Sequence, residues 1–207
     1  MLNKYARAFF SAIFRPLAQL LLRLGISPDV VTIVGTLGVA FGALWFYPRG
    51  EFLVGTLFIT AFVFSDMLDG NMARLSGRSS VWGAYLDSTL DRVGDAAIFG
   101  GLVLYFAGQG DNFLMACLAL ACLVLGSVVS YAKARAEGLG MEANVGIAER
   151  ADRLVAVLVT TGLTGLFDLP YIVLTIVLAL LAVASFITVL QRMLMVRRQA
   201  LGKALAK

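Results

Sequence analysis

Residues 52–74 read FLVGTLFITAFVFSDMLDGNMAR, and residues 83–92 read GAYLDSTLDR. The first stretch starts as an apolar run and ends in a polar segment with two aspartates. The second places two more aspartates near the start of the next apolar run. Acidic residues at membrane depth are energetically costly and usually mark a functional site. The two stretches therefore predict neighbouring membrane helices whose polar ends carry the chemistry.

The composition of the whole chain agrees with a membrane location. Of its 207 residues, 60% are hydrophobic and 14% are charged, whereas soluble domains are about 25% charged. A membrane span takes about 20 residues, so six spans leave room only for short loops and tails. This excludes a single-anchor protein, a disordered chain and a freestanding nucleic-acid binder, and the net charge of +4 suits lipid headgroups. We predict an all-α integral membrane protein with no nucleic-acid partner.

Six apolar runs bounded by charge, Gly or Pro predict six transmembrane helices. They cover residues 30–47, 52–65 continuing into a polar end near 75, 81–107, 112–132, 154–167 and 171–196. Before them, a polar residue at every fourth position predicts an N-terminal amphipathic interfacial helix, which Pro16 kinks or splits. We divide the chain into an amphipathic juxtamembrane segment (1–25), a six-helix membrane domain (26–197) and a basic cytoplasmic tail (198–207). Ser27-Pro28-Asp29 predicts the start of the first membrane helix.

The distribution of basic residues predicts the topology. All of the 17 Lys and Arg except Arg49 and Arg92 fall before the first span, near or after the end of the last, or in the loops on that same side. Basic residues accumulate on the cytoplasmic side of membrane proteins. Both termini and the acidic helix ends are therefore predicted to be cytoplasmic, in a multi-pass protein of the plasma membrane.

Four aspartates define the candidate catalytic centre. They are Asp66, Asp69, Asp87 and Asp91. Spacings of three and four place each pair on one helix face, about 5–6 Å apart, so two antiparallel helices can present all four to one point. Hard divalent cations such as Mg²⁺ would compensate the charge. The chain has no histidine and both cysteines lie mid-membrane, which argues against zinc or a cysteine nucleophile. Asp95 continues the face, and its role, structural or functional, stays open.

The same residues carry a resemblance to a known family. From residue 66 the sequence reads D-x-x-D-G-x-x-A-R, then eight residues, then G-x-x-x-D-x-x-x-D. This resembles the complete signature of the CDP-alcohol phosphotransferases, which replace the CMP of a CDP-linked lipid with an alcohol. All fixed positions match: Asp66, Asp69, Gly70, Ala73, Arg74, Gly83, Asp87 and Asp91.

The resemblance implies roles for individual residues. It implies two Mg²⁺ ions, with Mn²⁺ as a possible substitute, one held by Asp66, Asp69 and Asp87 and the other by Asp66, Asp87 and Asp91. It makes Asp91 the base that deprotonates the attacking hydroxyl. It assigns a set of residues to the CDP moiety of the lipid substrate: Asp29, Val30, Val31, Thr32, Gly70, Arg74 and Ser80.

Two further stretches refine the resemblance. SPDVVT (27–32) and SYAKARAE (130–137) are most similar to the actinobacterial phosphatidylinositol phosphate synthase branch of this family. That similarity implies CDP-diacylglycerol and inositol phosphate as substrates, phosphatidylinositol phosphate and CMP as products, and a homodimer. Phosphatidylglycerophosphate synthesis from glycerol 3-phosphate is the alternative. A divalent-cation transporter is disfavoured because the acidic residues gather at one end of the helices.

Basic residues near the helix ends point to the acceptor. A phosphorylated alcohol needs a second basic pocket on the cytoplasmic side. The candidates are Lys133, Arg135, Arg153 and Arg192. Because the positive-inside tendency places Lys and Arg at these ends in any case, a purely topological role is the competing interpretation.

Overall fold

The computed structural model describes residues 15–77 and 80–205, apart from the side chains of residues 66, 67 and 203–205. Within these ranges the regular structure is helical and contains no strand, which confirms the all-α prediction. The helices are α1 (15–23), α2 (Pro28–Phe46), α3 (Phe52–Val63), α4 (Ser65–Leu75), α5 (Val81–Ala107), α6 (Phe113–Gly138), α7 (Arg150–Phe167) and α8 (Tyr171–Leu205). Most of the predicted interfacial helix, residues 1–14, lies outside the described residues.

Four helical stretches of the described chain are long and apolar enough to cross a membrane. They are Pro28–Arg49, Phe52–Leu75, Phe113–Gly138 and Tyr171–Gly202. The second consists of α3 and α4, which meet at Phe64. The other two predicted spans correspond to α5 and α7, whose N-terminal portions carry charged residues that lower their apolar character. The chain is therefore a helical membrane protein.

The helices that border the site begin at sequence-encoded caps. The side chain of Ser27 accepts a hydrogen bond from the Val30 amide, with Pro28 in the first turn of α2, as the sequence predicts. Ser80 caps α5 by accepting from the Gly83 amide at 2.9 Å. Both helix starts lie on the same side of the molecule as the end of α4. Two helix N-termini therefore meet the acidic segment.

A continuous apolar core holds these ends in place. Its side chains without exposed surface include Ile59, Leu102, Ala119, Val157 and Leu178. They come from α3, α5, α6, α7 and α8, so burial ties five helices to one another. A smaller cluster packs Ala18 of α1 against Leu68 and Met72 of α4.

The segment between α6 and α7 is fixed to α8. The Thr188 hydroxyl accepts hydrogen bonds from the amides of Ile147 and Ala148 at 3.1 and 3.2 Å. Gln199 donates to the Glu142 carbonyl at 2.6 Å and accepts from the Glu142 amide at 3.0 Å. This segment, residues 139–149, directly precedes Arg150, the first residue of α7.

Candidate active site

A polar cavity lies between the first turn of α2, the end of α4 and the start of α5. Its volume is about 290 Å³. Its lining includes seven of the residues predicted for the lipid substrate or the metals: Asp29, Thr32, Asp69, Gly70, Arg74, Ser80 and Asp87. The structure thus brings together residues that are up to 58 positions apart in the chain.

Asp69 is the most enclosed acidic residue of this cavity. It is 7% exposed, and the Thr32 hydroxyl lies 2.5 Å from its Oδ2. A hydroxyl that donates to a carboxylate stabilises its charged form and fixes its orientation. Thr32 therefore holds Asp69 from the neighbouring helix α2.

The rim of the cavity is built from α2 and α5. The indole Nε1 of Trp82 donates to Oδ2 of Asp29 at 3.1 Å, which links the first turns of the two helices. A Cβ atom on Gly83 would lie 3.3 Å from the Ser80 hydroxyl and 3.9 Å from Oδ1 of Asp29. Without that atom, the two polar side chains reach the cavity unobstructed.

Arg74 enters the cavity from α4. Its guanidinium donates to the side-chain oxygen of Asn71 at 2.8 Å, one turn earlier on the same helix. Asn71 is buried, so the hydrogen bond directs the long side chain of Arg74 along α4. The cavity therefore combines one cation with several carboxylates and two helix N-termini.

Val30 and Val31 do not line the polar cavity. They line a neighbouring apolar groove of about 380 Å³, together with residues of α1, α3 and α4. Val30 is exposed, while Val31 packs against the cluster of Ala18, Leu68 and Met72. These two predicted residues therefore contact an apolar surface beside the site.

Asp91 lies one turn beyond Asp87 and meets α7. Its Oδ1 pairs with Arg150 Nη1 at 2.8 Å, and Arg92 Nη2 lies 3.7 Å from its Oδ2. No pattern in the sequence predicts the pairing with Arg150, which is 59 residues away. The predicted base thus lies at the junction of α5 and α7.

The donor set fits a hard divalent cation. Asp69, Asp87 and Asp91 offer carboxylate oxygens at the adjoining ends of α4 and α5, which is the ligand chemistry of Mg²⁺ and Mn²⁺. The side chain of Asp66, the fourth predicted ligand, lies outside the described residues. Among the side chains that are described, no three acidic or sulfur ligands lie close enough to one point to hold an ion. The fit therefore rests on donor chemistry and on the shared helix face.

The predicted acceptor residues divide into an interior group and an exposed residue. Arg153 and Arg192 are 2% and 6% exposed and reach toward α6, where their guanidinium groups donate to the carbonyls of Gly126 and Val129. Lys133 is partly buried on the same α6 face, since it follows Val129 by four residues. Arg135 is exposed.

Comparisons with known proteins identify the family of this chain. Residues 25–148 match the model of the CDP-alcohol phosphatidyltransferase family. The phosphatidylinositol phosphate synthase of Streptomyces avermitilis is 56% identical over 205 residues, which is 97% of this chain and 84% of the relative. The enzyme of the same name from Cutibacterium acnes is 50% identical over 201 residues, covering 94% of this chain and 97% of the relative.

Solved structures agree with the fold over most of the chain. A crystal structure of Mycobacterium tuberculosis phosphatidylinositol phosphate synthase with CDP-DAG bound superposes with a TM-score of 0.84 at 42% identity, covering 89% of this chain and 94% of that one. A second structure of that enzyme, in complex with manganese and citrate, gives a TM-score of 0.83 at 43% identity and covers 88% of each chain.

Proposed function

This chain belongs to the CDP-alcohol phosphatidyltransferase family, and we propose that it transfers the phosphatidyl group of CDP-diacylglycerol to inositol phosphate, releasing CMP in phospholipid biosynthesis. The observation that carries the proposal is the cavity between α2, α4 and α5, which is lined by six of the eight residues of the family signature. The relatives named phosphatidylinositol phosphate synthase favour inositol phosphate over glycerol 3-phosphate. Membership of a transferase family also removes the support for the transporter alternative.

The metal site of the proposed enzyme involves four aspartates. Asp66, Asp69 and Asp87 would hold one Mg²⁺ ion, and Asp66, Asp87 and Asp91 a second, with Mn²⁺ as a substitute. A relative that was crystallised with manganese supports a divalent cation. When bound, such ions neutralise the charge of a pyrophosphate and of the departing CMP. The Thr32 hydroxyl, 2.5 Å from Asp69, keeps one ligand in place.

The residues around the cavity suit a CDP group. Arg74 supplies a cation for a phosphate oxygen, and the N-termini of α2 and α5 favour anions through their aligned amides. Asp29, Ser80 and Gly70 offer polar groups and open backbone to the remainder of the nucleotide. Val30 and Val31 lie where the apolar groove adjoins the cavity, which suits the lipid part of the same substrate.

The proposed reaction needs one proton transfer. The hydroxyl oxygen of the acceptor attacks the β-phosphorus, its proton passes to Asp91, and the bond from that phosphorus to the oxygen of CMP breaks. The family resemblance makes Asp91 the candidate base. Two features of the chain agree with that role: it has no histidine, and Asp91 lies on the α5 face that continues from the cavity.

We place the phosphate of the acceptor among Lys133, Arg153 and Arg192. Burial of Arg153 and Arg192 supports a binding role, because cations placed only by topology remain solvated at helix ends. Arg135, which the sequence also suggests, is exposed and stays a prediction.

The proposed membrane arrangement has six spans. α5 and α7 join the four strongly apolar stretches, with α3 and α4 counted as one span. The basic residues then support cytoplasmic termini and a cytoplasmic active site in the plasma membrane. We keep the membrane domain at 26–197 between a juxtamembrane segment and a basic tail, although α8 continues through 197 to Leu205. A homodimer surrounded by membrane lipids is proposed from the family resemblance.

A single assay tests the proposed function. Purified protein is given CDP-diacylglycerol and Mg²⁺ with inositol phosphate, free inositol, glycerol 3-phosphate or serine in parallel, and CMP release is followed. We expect turnover with inositol phosphate and none after exhaustive treatment with EDTA. Faster turnover with glycerol 3-phosphate would replace the proposed acceptor, and undiminished turnover in EDTA would contradict the metal requirement.

A further inference from the structure

Two residues outside the family signature connect the candidate base to α7. Arg150, the first residue of α7, contacts Oδ1 of Asp91 through Nη1 at 2.8 Å and Oδ1 of Asp95 through Nε at 3.0 Å. One guanidinium thus bridges two carboxylates that are one turn apart on α5. Because a guanidinium is planar and its donors are fixed relative to one another, this bridge constrains the orientation of both carboxylates.

Asp95 is the buried end of this bridge. It is 8% exposed, and its Oδ2 lies 3.6 Å from Arg92 Nη2 and 4.0 Å from Arg153 Nη2. A buried carboxylate is retained where cations compensate it. Asp95 therefore lies between Arg150, which contacts the candidate base, and Arg153, which we place at the phosphate of the acceptor.

The bridge also joins separate elements. α5 supplies both carboxylates, whereas Arg150 and Arg153 occupy the first two turns of α7. The start of α7 is fixed in turn by its capping box of Glu149 and Asp152 and by the preceding segment, which is bound to Thr188 of α8. A shift of α7 would therefore move the guanidinium that contacts Asp91.

From these contacts we propose that Asp95 and Arg150 are positioning residues for the transfer step. Asp95 fixes the guanidinium of Arg150, and Arg150 fixes the carboxylate of Asp91 relative to the attacking hydroxyl. The same Asp95 carboxylate neighbours Arg153, so the pair sets the relative placement of acceptor and base. This inference rests on the proposed function and adds two residues to its machinery.

The test compares kcat and KM of Arg150→Gln, Arg150→Lys and Asp95→Asn at saturating metal. We expect each change to lower kcat by between about tenfold and a hundredfold, with little change in the KM for CDP-diacylglycerol, because a misplaced reacting group slows the chemical step. Arg150→Lys keeps the charge but not the planar donors, so it should not restore kcat. Arg197→Gln, an exposed cation on α8, is the matched control and should behave as wild type.

A double variant separates positioning from charge balance. Asp95→Asn combined with Arg150→Gln removes one charge of each sign, so the net charge of the cluster is unchanged. Residues that act as one unit are non-additive, so we expect the double variant to be no slower than Arg150→Gln alone. Recovery of wild-type kcat would show that the pair only balances charge. Multiplied losses would show independent roles, and either result overturns the proposal.

Binding of Mn²⁺ without substrates, followed by electron paramagnetic resonance, supplies a readout other than turnover. Arg150→Gln removes a positive charge near the carboxylates, so it should bind Mn²⁺ at least as tightly as wild type. Restoration of the kcat of Arg150→Gln by excess metal would overturn the proposal. Wild-type kcat in Arg150→Lys would overturn it as well, and that variant tests the proposal even if the neutral variants fail to fold. Wild-type protein is assayed with all acceptors in the same series. A failure of the proposed acceptor therefore appears in wild type, whereas a failure of this inference appears only in the variants.

Discussion

One face of α5 carries three aspartates, and each has different surroundings. Asp87 lines the polar cavity, Asp91 pairs with Arg150, and Asp95 is enclosed by guanidinium groups of α5 and α7. Carboxyl groups of the same chemical type acquire different roles through their environments. The spacing identifies all three as neighbours, but only the tertiary structure distinguishes the cavity-facing residue from the two that contact α7.

The first residue-scale prediction concerns the candidate base. Asp91→Asn should lower kcat by about a hundredfold or more, because the amide cannot accept the proton of the attacking hydroxyl. Release of CMP by purified protein in detergent measures the effect. Asp111→Asn is the control: Asp111 is exposed with a positive φ of 39°, which Asn tolerates. If Asp91→Asn keeps wild-type kcat, another group must take the proton.

The second residue-scale prediction concerns the acceptor. Lys133→Gln should raise the KM for inositol phosphate and change the KM for CDP-diacylglycerol little. A hydrogen bond to a charged group contributes about 1.5–3 kcal/mol, so kcat/KM should fall about tenfold to a hundredfold. Arg74→Gln should instead weaken the binding of CDP-diacylglycerol and raise its KM. Arg135→Gln tests the exposed candidate separately, because two residues along a helix turn the side chain by about 200°, and an unchanged KM for inositol phosphate would leave Arg135 outside the acceptor site. Unchanged acceptor kinetics in Lys133→Gln would leave this cation with a topological role.

At the scale of elements, the sequence predicts a helix boundary where that boundary depends only on residues close together in the chain. Ser27, Pro28 and Asp29 predict the start of α2 because a cap involves residues within one turn. The break between α3 and α4 at Phe64 was not predicted, since no Pro or Gly marks it. The contact of Arg150 with Asp91 could not be predicted either, because it depends on how α7 packs against α5.

The segment between α6 and α7 gives a prediction at this scale. Gly146 has a φ of +146°, and a Cβ atom there would lie 2.4 Å from Cγ2 of Thr188. Gly146→Ala should therefore displace the segment from α8. The free energy of unfolding should fall by at least the ~1 kcal/mol typical of a strained backbone position, which is measured as a lower Tm in detergent. Gly138→Ala is the matched control, because no atom lies within 4 Å of its Cβ position and α6 reaches that residue. Equal Tm values for the two variants would contradict the close contact with Thr188.

At the scale of the whole molecule, composition and charge distribution carry most of the information. Alternation of apolar runs and charged ends predicts the helices, since each span must bury its backbone hydrogen bonds within itself. The relative placement of the helices depends on a shared core whose side chains come from parts of the chain far apart in sequence, such as Ile59 and Leu178. The sequence therefore predicts which residues reach the polar side, whereas the structure divides them between one cavity and a network at α7.

The proposed orientation is tested with single cysteines in intact cells. Asp111 lies in the turn between α5 and α6, and Arg198 lies near the end of α8; both are exposed. In a background without Cys117 and Cys122, Asp111→Cys should react with an impermeant thiol reagent. Arg198→Cys should react only after the cells are opened, because basic residues keep that side in the cytoplasm. The reverse pattern would place the polar cavity outside the cell and would contradict the proposed topology. It would also contradict access of the nucleotide-linked lipid to the cavity from the cytoplasm.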